Sequence, residues 1–172
     1  MPAWQAGTCG STLASQANVH RRDYGARPIG EKHDMHDDDI RRVRDSHAAI
    51  GDPDEFGRRF YATLFRLRPD TRTLFPVDLD AQVRKLVDML ASIVRGLDAP
   101  ARLAREFAEL GRRHVGYGVR EDDYDDVGAA LLMALHEHFG DAFTPELEQA
   151  WATVYGDLAE AMIAEGAVAG RR

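Results

Sequence analysis

Three polar side chains, His114, Tyr124 and Glu165, stand where helical periodicity otherwise places apolar residues. A neutral imidazole that binds a metal normally donates its other N–H to a carboxylate or a carbonyl, which fixes its tautomer. If the three helices pack together, these groups form an imidazole ligand with polar partners. Each residue also has a simpler interpretation: a core histidine bonded to a carbonyl, a tyrosine in ordinary packing, and a solvated glutamate near a chain end.

A phenol and an amide form a second pair of candidates. Tyr61 follows Phe60 on an apolar helical stripe, and Gln82 lies four residues before Leu86, on the same helix face. Beside Phe60, Phe75 and Leu86, the two polar groups have the composition of a small-ligand site. The alternative interpretation makes Gln82 a surface residue in the first turn of its helix.

Helices must position these residues. Apolar residues recur at spacings of three and four after residue 37, and no strand-like alternation of useful length occurs. Asp52-Pro53 and Thr144-Pro145 have the form of helix starts, whereas Pro69, Asp98-Ala99-Pro100 and Gly140 are expected to end helices. The pattern predicts an all-α domain of about six to eight helices.

Composition narrows the function class. The chain has 172 residues, 44% of them apolar, which suits one domain with a substantial core. The net charge of −7, with no concentration of Lys and Arg, argues against nucleic-acid binding. The single cysteine, Cys9, excludes an internal disulfide framework. No apolar run is long enough for a membrane span and no secretory signal is evident, so a cytoplasmic location is expected.

The chain divides by composition near residue 36. Residues 1–36 carry no helical or strand period and are expected to be a disordered extension, whereas residues 37–172 form the folded domain. Met35 is therefore a candidate start of translation. The acidic residues Asp78 and Asp80 are interpreted as solvated charges on a helix face.

An ordered set of short motifs resembles the bacterial globins, both single-domain haemoglobins and the haem domain of flavohaemoglobins, across roughly residues 38–165. The matching segments are Phe60-Tyr61, Leu74-Phe75, Gln82, Lys85-Leu86, Leu110-Gly111-Arg112-Arg113-His114, Tyr117-Gly118-Val119, Tyr124, Val127-Gly128, Leu131-Leu132, Trp151 and Ala164-Glu165.

The resemblance implies a globin fold around haem b, with His114 as the iron ligand. It makes Tyr124 and Glu165 the partners that polarise this imidazole, and Tyr61 and Gln82 the pair that donates hydrogen bonds to bound O2. It also implies close helix approach at Gly57. Apolar residues would contact the haem: Phe60, Phe75, Leu86, Val119, Val127 and Leu131.

The activity implied by the resemblance is reversible O2 binding together with nitric oxide dioxygenation. O2, NO and CO would be its small ligands, and electrons would come from a separate reductase, since no G-x-G-x-x-G motif in a strand–helix context is found. The alternatives are a non-enzymatic O2 carrier or storage protein, a gas sensor, and a globin-fold interaction module that binds no haem.

Overall fold

The computed structural model describes residues 35–75 and 78–169, with side chains up to Gly166. The described part contains α-helices and two short 3-10 helices, Pro69–Leu74 and Gly140–Ala142. The α-helices, in chain order, are α1 (Asp37–Ala48), α2 (Pro53–Leu67), α3 (Leu79–Gly96), α4 (Pro100–Gly116), α5 (Glu121–Phe139) and α6 (Pro145–Ala169). The all-α prediction is confirmed. The expected N-terminal extension falls almost entirely outside the described residues, and its boundary stays a prediction.

Local sequence signals explain most of the helix ends. The Asp52 carboxylate accepts a hydrogen bond from the Glu55 backbone N–H at 3.0 Å, so it caps α2 as the Asp-Pro start predicts. Helix α2 ends at Leu67, because Pro69 cannot continue it. Helix α5 ends before Gly140, whose φ of +54° is accessible to glycine at little cost.

Helix α3 ends at Gly96, so the helix end predicted at Asp98-Ala99-Pro100 is confirmed to within two residues. Pro100 is also the first residue of α4, because the first turn of a helix leaves unpaired the N–H that proline lacks. One local prediction was wrong. Asp78 is a helix cap and not a free surface charge: its carboxylate accepts a hydrogen bond from the Ala81 N–H at 3.1 Å.

The helices enclose one apolar core that includes the fully buried side chains of Trp151, Phe56, Leu64 and Leu135. Helix α2 packs against α3 and α5, while α6 packs against α1, α4 and α5. At the α2–α3 crossing, a Cβ atom on Gly57 would lie 2.8 Å from Val83 Cγ1. The close approach expected at Gly57 is therefore confirmed.

Helices α4 and α6 touch backbone to backbone. A Cβ atom on Gly111 would lie 2.3 Å from the Met162 carbonyl oxygen, and one on Gly166 would lie 2.9 Å from Val115 Cγ2. From the first contact, Gly111 with Met162, to the second, Val115 with Gly166, the residue number rises by four on each helix. The two helices therefore run in the same direction along this line of contact. We call it the α4–α6 seam, defined by Gly111, Val115, Met162 and Gly166.

A charged cluster fastens the end of α2 to the start of α5. The Arg68 guanidinium pairs with the buried Asp126 carboxylate and lies 3.9 Å from Asp123. It also pairs with Asp70 at 3.0 Å. Because Asp123 and Asp126 flank Tyr124, this cluster helps to fix the first turn of α5, from which that tyrosine projects.

Candidate functional site

His114 lies in the last turn of α4 and is partly exposed. Its Nδ1 atom is 3.0 Å from the carbonyl oxygen of Leu110, one turn earlier in the same helix. Its ring centroid lies 6.3 Å from that of Tyr124 and 6.2 Å from that of Tyr117. Two of the three residues expected on the ligand side, His114 and Tyr124, are thus neighbours.

The hydrogen bond of His114 determines which ring nitrogen can bind a metal. A carbonyl oxygen only accepts, so Nδ1 carries the proton and Nε2 of the neutral ring keeps a free lone pair. Nε2 has no hydrogen-bond partner among the described residues. This donor arrangement fits an axial haem ligand. One imidazole suffices there because the macrocycle supplies the other nitrogens, whereas no larger His, Cys, Asp and Glu cluster able to hold a metal occurs among the described residues.

Tyr124 is held in place from α6. The Tyr155 hydroxyl donates a hydrogen bond to the Tyr124 carbonyl oxygen at 2.5 Å. Gly128 makes room for the Tyr155 ring, since a Cβ atom there would lie 2.6 Å from the ring edge. Burial, with a smaller contribution from the Asp123 charge, raises the pKa of the Tyr124 phenol. Tyr124 therefore presents a neutral phenol near His114, on a stretch of backbone that is anchored to α6.

Tyr61 lies at the centre of an aromatic cluster on α2. Its ring centroid is 5.1 Å from Phe60, 5.9 Å from Phe65 and 5.3 Å from Phe75. Only 6% of Tyr61 is exposed, and this burial raises its pKa to about 12. The phenol consequently remains protonated, and able to donate a hydrogen bond, at any physiological pH.

Tyr61 and Gln82 come together, although through the backbone of Gln82. The Tyr61 hydroxyl donates to the Gln82 carbonyl oxygen at 3.4 Å. Gln82 is partly buried in the first turn of α3, and Leu86, one turn later, is buried. The predicted pair is therefore adjacent, and what its side chains do toward a ligand stays a prediction.

The six apolar residues expected to contact the cofactor all belong to one core or pack against it. Phe60, Leu86 and Leu131 are buried members of the core. Phe75, Val119 and Val127 are partly buried and pack on the same core. Tyr61 and Tyr124 are members of that core as well, so both groups of candidate residues border a single apolar interior.

Glu165 forms an ion pair with Arg112 across the contact between α4 and α6. Its carboxylate accepts a hydrogen bond from Arg112 at 2.9 Å, and the partner of His114 is the Leu110 carbonyl. Arg112 also pairs with Glu109 on its own helix. The observed partner of Glu165 is thus Arg112, and the functional role of Glu165 stays a prediction.

Sequence reasoning gave His114 a carbonyl partner only as the simpler alternative and without naming it, and it missed the partners Arg112 and Tyr155. The Leu110 carbonyl had a usable signal, because a histidine near a helix end can donate to the carbonyl four residues earlier. Arg112 and Tyr155 had none, since their partners Glu165 and Tyr124 lie far away along the chain.

The fold is that of known globins. The structure matches that of a bacterial globin from Campylobacter jejuni with a TM-score of 0.70, covering 80% of this chain and 100% of that one at 19% identity. In sequence, the chain is 34% identical over 109 residues to a flavohemoprotein of Bordetella pertussis, and equally to one of Deinococcus radiodurans. It is 29% identical over 106 residues to a flavohemoprotein of Rhizobium meliloti.

A family model of globins matches residues 58–162, and the chain belongs to the globin family. Membership of this family implies a haem cofactor, which agrees with the free Nε2 of His114. The chain spans about a quarter of the length of the curated flavohemoproteins that it matches, 27% for the Bordetella pertussis protein. Among the helices of the described residues, none has the length and apolar character required to cross a bilayer.

Proposed function

We propose that this protein is a haem b globin that binds O2 reversibly and converts NO to nitrate with electrons from a separate reductase. The observation that carries the proposal is His114, with a bonded Nδ1 and a free Nε2. Similarity to flavohemoproteins supports the NO-converting part. When bound, haem supplies the iron centre at which O2 binds and NO, O2 and an electron become nitrate.

The residues of the chain have distinct roles in this proposal. His114 holds the cofactor through Nε2, and Tyr124 limits the freedom of its imidazole ring. The Tyr61 phenol donates a hydrogen bond to the diatomic ligand, joined by the Gln82 amide. Phe60 and Phe75, with the other apolar residues assigned to the cofactor, exclude water from the ligand.

A reductase is part of the proposal because the conversion of NO and O2 to nitrate consumes one electron in each turnover. NO and CO are expected as further ligands, since both are diatomic and compete for the position of O2. We place this chemistry in the cytoplasm, where reduced electron carriers are available.

The test begins with absorption spectra of the purified, haem-supplemented protein when oxidised, reduced and exposed to CO. We expect a Soret band that shifts with each treatment. Absence of a Soret band would refute haem binding and leave a globin-fold interaction module. NO consumption and nitrate formation are then measured with a flavin reductase and NADH. A rate no faster than that of an ordinary oxygen carrier would reject the dioxygenase role.

A non-enzymatic O2 carrier or sensor is the second candidate, and one observation favours it. The partner of His114 is a neutral carbonyl, and a carboxylate partner would push more electron density onto the iron. Reversible O2 binding with slow NO consumption is the result expected from this candidate.

A further inference from the structure

We propose that Glu165 does not polarise His114 in this chain: it forms, with Arg112 and Glu109, a brace that fixes α4 to α6, and the His114 imidazole keeps the Leu110 carbonyl as its partner. This inference rests on the proposed haem function, which it makes more specific. It assigns to Arg112 a positioning role beside the axial ligand.

The α4–α6 seam separates the two groups. Successive residues of an α-helix are rotated by about 100°, so Arg112 lies about 100° around α4 from Gly111, whereas His114 lies about 60° in the opposite direction. Gly111 faces Met162. Arg112 and His114 therefore project to opposite sides of the seam.

Glu165 lies on the side of Arg112. On α6 it is about 60° from Met162, and because the two helices run in the same direction, that rotation leads toward Arg112 and away from His114. The observed 2.9 Å hydrogen bond between Arg112 and Glu165 agrees with this construction. The positions of α6 that the same construction places on the His114 side are occupied by residues without a carboxylate: Ala159, Ile163 and Gly166.

The brace spans two helices. The Arg112 guanidinium uses one nitrogen for Glu165 on α6 and another for Glu109, one turn earlier on α4. Arg112 lies half a turn before His114 on α4. Because its ion pairs hold this turn against α6, they limit rotation of the part of α4 that carries His114. His114 meanwhile keeps the Leu110 carbonyl as its partner.

The first test is resonance Raman spectroscopy of the haem-loaded, ferrous, ligand-free protein. The iron–histidine stretch reports how much negative charge the imidazole carries. We expect E165Q to leave the band at its wild-type position. G166E is the positive control, because it places a carboxylate on the His114 side, and we expect it to raise the band frequency; Val115 is exposed enough to make room. A lowered band in E165Q, or an unmoved band in G166E, would overturn the inference.

The second test needs no cofactor. In urea unfolding of the apoprotein, R112Q and E165Q should each lower the folded-to-unfolded ratio by up to about fivefold, and the double variant should lower it by no more than R112Q alone, because R112Q already removes the pair with Glu165. R113Q is the matched control, because Arg113 lies at 3.6 Å from Glu109 and is exposed. Its effect should add to that of E165Q.

Additive effects of R112Q and E165Q would refute the brace. A protein that takes up no haem would refute the proposed function instead, and this coupling would still be measurable on the apoprotein.

Discussion

The hydroxyl of Tyr61 points at the first turn of α3, where it donates a hydrogen bond to the carbonyl oxygen of Gln82 at 3.4 Å. This distance is long for an O–H···O bond, so the bond is weak and the hydroxyl can turn toward a ligand at little cost. Phe60 and Phe75 flank the ring and fix its plane.

Replacing Tyr61 with phenylalanine should speed O2 release. The lost hydrogen bond contributes about 0.5–1.5 kcal/mol, which corresponds to an off-rate about two- to tenfold higher. Stopped-flow displacement of O2 by CO measures this rate. Tyr117→Phe is the control, because Tyr117 is 71% exposed and should leave the rate unchanged. An unaltered off-rate in Tyr61→Phe would mean that the phenol does not contact the ligand.

The ionisation of Tyr61 should be visible at high pH. Its pKa is raised to about 12 from the usual 10.0 by burial, so the folded state keeps a proton that the unfolded state loses in this range. Stability contributed by the neutral phenol is present below pH 10 and is lost as pH rises toward 12. Burial also raises the pKa of Tyr124 and of Tyr155, so tyrosinate absorbance should show a late-titrating component that is smaller by one tyrosine in Tyr61→Phe. A variant with the same late component would assign that component to another tyrosine.

His114→Ala should remove the axial ligand. We expect faster haem loss to an acceptor protein and a changed Soret band, both reversed by added imidazole, which can occupy the space of the missing ring. His136→Ala is a suitable control, since His136 is exposed on another helix. Unchanged spectra in His114→Ala would refute the assignment of the ligand.

Gly111→Ala should destabilise the fold. The added methyl group would meet the Met162 backbone at 2.3 Å, so α4 and α6 have to separate, at a cost of about 1–3 kcal/mol. Gly156→Ala, also within a helix but with open space around it, should stabilise the protein by up to about 1 kcal/mol. Urea unfolding measures both, and equal effects at the two positions would contradict the close contact.

Arg68→Gln should loosen the start of α5. It removes the guanidinium from Asp126, which is only 4% exposed, and we expect a loss of about 2–3 kcal/mol in unfolding free energy. Arg66→Gln breaks a surface pair with Glu137 and should cost less than about 1 kcal/mol. Similar losses in the two variants would show that the Asp126 pair is no stronger than a surface pair.

Much of this fold could be predicted from the sequence, because its signals are local. Asp52-Pro53 and Pro69 act on the backbone beside them, and apolar spacing identifies the faces that become buried. The prediction for Glu165 depended on which side of α6 faces α4. A shift of one residue along a helix rotates a side chain by about 100°, which is enough to change that side. A single sequence does not show how far each helix is rotated relative to its neighbour. Nor does it show that Arg68 pairs with Asp126, 58 residues later. The apolar spacing along the helices thus identified His114 as a candidate, whereas the structure was needed to identify Leu110 as its carbonyl partner.

The backbone contact between Gly111 and Met162 determines how a movement of α4 affects α6. A helix that rests on its neighbour through bulky side chains can absorb a small displacement by changing rotamers, but here carbonyl and Cα atoms meet with nothing flexible between them. A displacement of α4 near His114 is therefore expected to move the adjoining turns of α6 with it.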